Sequence, residues 1–193
     1  MRLNVTNYID ELNNVLLKMQ ITSPGNTNID LNAGIEESIK IITNQAEKCN
    51  KIIIIGNGGS ASIANHLAID LWKSAGIRAT TYSDSALLTC ISNDFGYEYV
   101  FEKPIEMFAD NGDVLIAISS SGMSKNIING AIASKKKGCK IITMSGFQEN
   151  NILRSKGEIN FYLPSDSYGY VELAHSVLCH CIADIITTEK KHG

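Results

Sequence analysis

The chain has 193 residues, 44% hydrophobic and 19% charged, which fits one domain with its own core. A formal net charge of -3 without a long basic run argues against a general binder of nucleic-acid backbones. The short runs Lys135–Lys137 and Lys190–Lys191 read as solvated helix ends. Cys49, Cys90, Cys139, Cys179 and Cys181 form no paired framework and no Cys-x-x-Cys spacing, as expected of reduced, mostly buried thiols. The N-terminus lacks a secretory pattern and no apolar stretch reaches bilayer length, so the expected location is cytoplasmic.

Apolar residues at Ile9, Leu12, Val15, Leu16 and Met19 predict an amphipathic helix over 5–19. Thr22–Asn28, broken by Pro24–Gly25, reads as a loop, and Ile35, Ile39 and Ile42 mark a second helix over 31–48. Lys51–Ile55 is a β-branched run of the kind buried on both faces of a parallel sheet. Further strands are predicted at 78–82, 113–118, 140–145 and 159–163. Helices are predicted at 60–74, 85–92, 98–108, 125–137 and 170–189, with a helical turn near 150–153. This alternation predicts an α/β fold, a doubly wound parallel sheet flanked by helices, with two N-terminal helices in front. The two leading helices have no strand beside them in sequence, so they are expected to cover a neighbouring subunit.

In such a sheet, ligands bind beyond the carboxyl ends of the strands. Two strand-to-helix turns stand out there. Gly56–Asn57–Gly58–Gly59–Ser60 lets backbone approach a ligand closely at a helix N-terminus. Ser119–Ser120–Ser121–Gly122–Met123–Ser124 offers hydroxyls and backbone donors that suit a phosphate. Each alone can be a tight turn or an N-cap; together they point to a phosphorylated small molecule. No Gly-Lys-Ser/Thr follows, so the first loop is not a P-loop. Gly56, Gly58 and Ala61, with Asp84 past the second strand, come near a dinucleotide pattern but leave the serine loop unexplained.

His66 and Asp70 lie four apart on one predicted helix, about 40° apart around its axis. Glu172 and His180 lie eight apart on the last helix, about 80° apart. Two imidazoles and two carboxylates suit a zinc-like divalent cation, with His175 either a competing ligand or a core histidine. Asn93–Asp94–Phe95–Gly96 reads as a helix end with a glycine stop.

Taken in order, Gly56–Ser60 with His66, Asn93–Gly96, Ser119–Ser124 and His180 resemble the sugar isomerase (SIS) domain, over nearly the whole chain. Within it they resemble the phosphoheptose isomerase branch, which acts on sedoheptulose 7-phosphate. The resemblance implies one SIS domain over 1–193, with 1–48 as N-terminal helices and 49–193 as the α/β core. It also implies a homotetramer with active sites between subunits, and aldose–ketose isomerisation to D-glycero-D-manno-heptose 7-phosphate for bacterial lipopolysaccharide or capsule. Neither nucleic acid nor membrane is an expected partner. By the same resemblance Asn57, Gly58, Gly59, Asn93, Asp94 and Glu172 contact substrate, and Ser119, Ser120, Ser121 and Ser124 hold its phosphate. His66, Asp70, Glu172 and His180 bind zinc, and Asp70 with His180 moves the proton. The chain departs from the pattern at Asp70 (Glu in the family), at Glu172 (Gln), at Lys73–Ser74 (Gly-Arg) and in Tyr168–Leu173 (Thr-x-Arg-Ile-Gln-Glu). Glu172 is thereby a second candidate for the base. The alternatives are an isomerase for another phosphosugar and a non-catalytic SIS adaptor for a replication initiator.

Overall fold

Four consecutive isoleucines, Ile52–Ile55, can be satisfied only by apolar neighbours on both sides, and the fold is built around them. The computed structural model describes residues 4–25 and 27–192. It begins with α1 (Val5–Leu17), a hairpin of β1 (Gln20–Ser23) and β2 (Thr27–Ile29), and α2 (Leu31–Glu47). Then come β3 (Ile52–Gly56), α3 (Gly59–Ser74), β4 (Ala79–Thr81), α4 (Ser85–Asp94), a 3-10 turn at Tyr97–Tyr99 and α5 (Glu102–Phe108). The chain closes with β5 (Val114–Ser119), α6 (Lys125–Lys136), β6 (Lys140–Ser145), a 3-10 turn at Leu153–Ser155, β7 (Ile159–Tyr162) and α7 (Tyr168–His192).

The strands form one sheet in the order β2-β1-β7-β6-β5-β3-β4. From β4 to β7 every pairing is parallel, with Ile54 set between Thr81 and Ile116. The chain leaves β3 toward β4 on one side and returns to β5 on the other. The winding direction therefore reverses between β3 and β5, and the crevice beyond their carboxyl ends is the place such a sheet leaves for a ligand.

Successive strand residues feed opposite layers. Ile52, Ile54, Val114, Ile116 and Ile118 pack with Ile39 and Ile42 of α2, Leu67 and Leu71 of α3, and Ile182 and Ile186 of α7. Ile53, Ile55, Leu115 and Ala117 pack with Ile91 of α4, Ile105 of α5, and Ile127 and Ala131 of α6. Each fully buried isoleucine contributes about 1.5–3 kcal/mol. α2 is therefore a layer of its own chain's core.

Four expectations change. The predicted loop at 22–28 is a hairpin, antiparallel to β7, with Ile21 opposite Phe161 and Gly25 (φ +80°) in its turn. Ile21 is 2% exposed, and its Cγ2 would lie 2.8 Å from a Cβ on Gly34 of α2. The predicted helix at 98–108 divides into a 3-10 turn and α5. Only Cys139 and Cys179 are buried; Cys49, Cys90 and Cys181 are exposed, and all five are free. Among the described residues one helix, α7, is long and apolar enough by length and composition to cross a membrane, contrary to the sequence reading. Val171, Ala174, Leu178, Ile182 and Ile186 along it are buried in the fold.

Candidate active site

Gly56 and Ile118 are register partners, so the loops that follow β3 and β5 open side by side on one edge of the sheet. The first loop needs its glycines. A Cβ on Gly56 would meet Ser60 O at 2.5 Å, and Gly58 has φ +53°. Gly58 caps α3 without a side-chain bond, which leaves that helix end open to an acceptor.

In the second loop the hydroxyl of Ser119 accepts from Gly122 N (3.1 Å) and that of Ser121 accepts from Met123 N (3.2 Å). Their hydroxyl protons remain free to donate outward. Among the described residues Ser120 Oγ is buried without a partner, and Ser124 caps α6 without using its hydroxyl. Gly122 (φ +62°) turns the loop, and its carbonyl accepts from Leu153 N (3.1 Å). Asn151 braces the loop from behind, donating to Ser145 Oγ at 3.1 Å and Gln148 O at 2.8 Å. Asn57 and Asn126 exchange a pair of amide hydrogen bonds at 2.9 and 2.8 Å, which ties the first loop to α6. The hydroxyl of Tyr97 reaches Asn57 Oδ1 at 3.1 Å.

Helices α3 and α7 run alongside each other from this edge. Asp70 Oδ2 lies 3.3 Å from His66 Nε2 and 3.6 Å from His180 Nδ1, and the two rings meet edge to face with centroids 5.0 Å apart. These ligand atoms lie within 4.8 Å of one another. Two neutral nitrogen donors and one carboxylate suit a zinc-like cation with a coordination position left for another ligand. The His66 side chain is 62% exposed and that of His180 49%, so the cluster is open on one side.

Glu172 stands apart from that cluster: its carboxylate lies where a Cβ on Gly59 would be. Eight residues separate Glu172 from His180, about 12 Å along α7. Of the predicted ligands, the structure thus brings three together and sets the fourth over the first loop. Asn93 and Asp94 sit at the exposed end of α4, bonded to each other at 2.8 Å. Among the described residues no hydrogen bond joins them to either loop. Asp84 accepts from Leu87 N (3.0 Å) as the N-cap of α4. His175 is a core histidine: it is fully buried, and among the described residues neither ring nitrogen has a hydrogen-bond partner. Burial pushes its imidazole down to about 4, against a smaller opposing effect from the Ser145 backbone.

Tyr97, Asn126 and Asn151 escaped the sequence reading. Each lies in a helix or turn without a glycine-rich or metal-spacing signature, and Asn57 meets Asn126 across 69 residues.

The family model of the SIS domain matches residues 8–146. The phosphoheptose isomerase of Aliarcobacter butzleri is 37% identical over 166 residues, covering 82% of this chain and 86% of its own. That of Syntrophotalea carbinolica is 30% identical over 191 residues, covering 96% and 93%. The structure of phosphoheptose isomerase GmhA from Neisseria gonorrhoeae superposes with a TM-score of 0.81 at 25% identity, over 94% of this chain and 97% of that one. The chain belongs to the phosphoheptose isomerase family of SIS-domain proteins.

Proposed function

We propose that this protein isomerises sedoheptulose 7-phosphate to D-glycero-D-manno-heptose 7-phosphate in the cytoplasm, supplying heptose for a bacterial surface polysaccharide. The supporting observation is the convergence of two loops, one glycine-rich and one serine-rich, at the switch point of the sheet, with an acid–histidine cluster on the adjoining helices. Relatives named phosphoheptose isomerase favour this over the adaptor alternative.

In this reading Ser119, Ser120, Ser121 and Ser124 bind the phosphate through neutral donors. Asn57, Gly58 and Gly59 flank the reacting end of the sugar, with Asn93 and Asp94 nearby once substrate is bound. His66, Asp70 and His180 hold a divalent ion, zinc by the chemistry of the set; when bound it polarises a substrate oxygen. Isomerisation breaks a C–H bond at C1 of the ketose and forms one at C2, while a proton moves between the two oxygens. That needs a base beside those carbons. With Asp70 held between two imidazoles, Glu172 over Gly59 is the carboxylate left free to carry the proton.

The subunit forms a homotetramer in this reading. Leu17, Leu31, Val177 and Ile185 border a groove of about 780 Å³ between α1, α2 and α7, and a neighbouring copy would cover that apolar face. The test has three readouts on the purified protein: turnover of sedoheptulose 7-phosphate, metal content, and mass by sedimentation. Turnover of another phosphosugar alone would move the substrate. Absence of any turnover with metal supplied would remove the enzymatic reading.

A further inference from the structure

The side-chain amide of Asn57 is oriented by a chain of hydrogen bonds that starts in the backbone of α6. Ile127 N–H donates to Asn126 Oδ1 at 3.0 Å, which identifies that atom as the oxygen. Asn126 is 3% exposed, so its own orientation is set by the interior. Its Nδ2 then donates to Asn57 Oδ1 at 2.8 Å, and Asn57 Nδ2 donates back to Asn126 Oδ1 at 2.9 Å. With Asn57 Oδ1 so identified, the Tyr97 hydroxyl 3.1 Å away is the donor of that bond.

A primary amide has two N–H donors and an oxygen with two acceptor positions. In Asn57 both acceptor positions are filled, by Asn126 and Tyr97, and one N–H is used by Asn126. What remains for a ligand is a single N–H donor. Tyr97 is placed to enforce this by contacts of its own turn, which begins after Gly96 (φ +105°) and is clipped to α6 where Asn129 Nδ2 donates to Glu98 O at 3.1 Å. Its side chain is among the exposed large hydrophobics, at 54%, so core packing does not account for it.

We propose that Tyr97 is a positioning residue of the isomerase, its hydroxyl occupying Asn57 Oδ1 so that Asn57 offers the sugar phosphate an N–H donor and no competing acceptor. The proposal rests on the reading of the first loop as a substrate loop. It names no bond that Tyr97 itself makes to substrate, and Tyr97 acts through Asn57 alone.

The experiment is a double-mutant cycle on the full-length, metal-loaded protein with sedoheptulose 7-phosphate. Tyr97→Phe removes only the hydroxyl and should lower kcat/KM about 3- to 10-fold, the loss of one neutral hydrogen bond. In an Asn57→Ala background the same change should lower it less than about 2-fold, because the partner is gone. An equal loss in both backgrounds, or no loss in either, overturns the proposal. A second readout is independent of turnover. In ¹⁵N-labelled protein the Asn57 side-chain amide pair, identified by its disappearance in Asn57→Ala, should shift in Tyr97→Phe. An unmoved pair overturns the proposal even if the enzyme is active. A shifted pair in a protein inactive on sedoheptulose 7-phosphate supports the proposal while the substrate reading fails.

Discussion

Glu172 carries a negative charge where the family pattern has a neutral amide, and its carboxylate rests against Gly59 at the start of α3. A carboxylate at a helix N-terminus is electrostatically favoured by roughly 0.3–1 kcal/mol, so the position is stable without a metal. Glu172→Gln keeps size and removes the charge. The expected outcome is unchanged metal content with kcat lowered about 10²- to 10⁴-fold, the usual worth of a general base. Elemental analysis beside kinetics checks it; a loss of metal would instead make Glu172 a ligand. The serine loop gives a second prediction. Ser121→Ala with Ser124→Ala removes two hydroxyls that no neighbour requires as donors, so the unfolding midpoint should barely move. KM for the phosphosugar should rise tenfold or more, since hydrogen bonds to a charged group are each worth about 1.5–3 kcal/mol. Unchanged affinity would move the phosphate elsewhere. The residues behind both predictions were legible because loop composition and helical spacing announce them. Tyr97, Asn126 and Asn151 were not, because a lone tyrosine or asparagine gains meaning only from the partner that the fold brings to it.

At the scale of elements, strands with continuous apolar runs were readable and short mixed ones were not. β3 and β5 each bury every residue, so composition alone marks them. β1 has four residues, and only Ile21 among them is an apolar anchor in the core. Its pairing depends on the free edge of β7, which no local pattern reveals. The serine loop is likewise an assembly of elements rather than a motif. Gly122 adopts φ +62°, and a Cβ there would collide with Asn151 Oδ1, whose amide group is bonded to Ser145 Oγ, Gln148 O and Arg154 N. Gly122→Ala therefore combines left-handed strain with displacement of a buried, hydrogen-bonded side chain. The expected cost is about 1–3 kcal/mol of stability, together with a loss of phosphosugar affinity. Urea unfolding and a KM measurement on the variant check both, and an unperturbed KM would mean that the brace does not shape the loop.

For the whole molecule, the doubly wound order and the side-by-side loops followed from alternation of strands and helices, since parallel crossovers leave few topologies. The role of His175 did not, because periodicity places it on α7 without saying which histidine of that helix enters the core. Its burial makes the stability of the entire fold depend on pH. The ordinary imidazole value of about 6.5 holds in the unfolded chain, whereas in the folded protein burial pushes it down to about 4. Above pH 6.5 both states are neutral at this site and it adds no pH dependence. As pH falls from 6.5 toward 4, the unfolded chain takes up a proton that the folded protein refuses, so stability drops by about 1.4 kcal/mol per pH unit and about 3 kcal/mol in all. His175→Gln cannot titrate. Urea-unfolding free energies of wild type and variant at pH 7, 6, 5 and 4.5 should therefore converge as pH is lowered, because the wild type alone loses this contribution. Other carboxylates and imidazoles titrate alike in both proteins and cancel in the difference. A wild-type-minus-variant difference that stays constant from pH 7 to 4.5 would show that His175 takes up its proton equally in both states, and that the interior around it admits water.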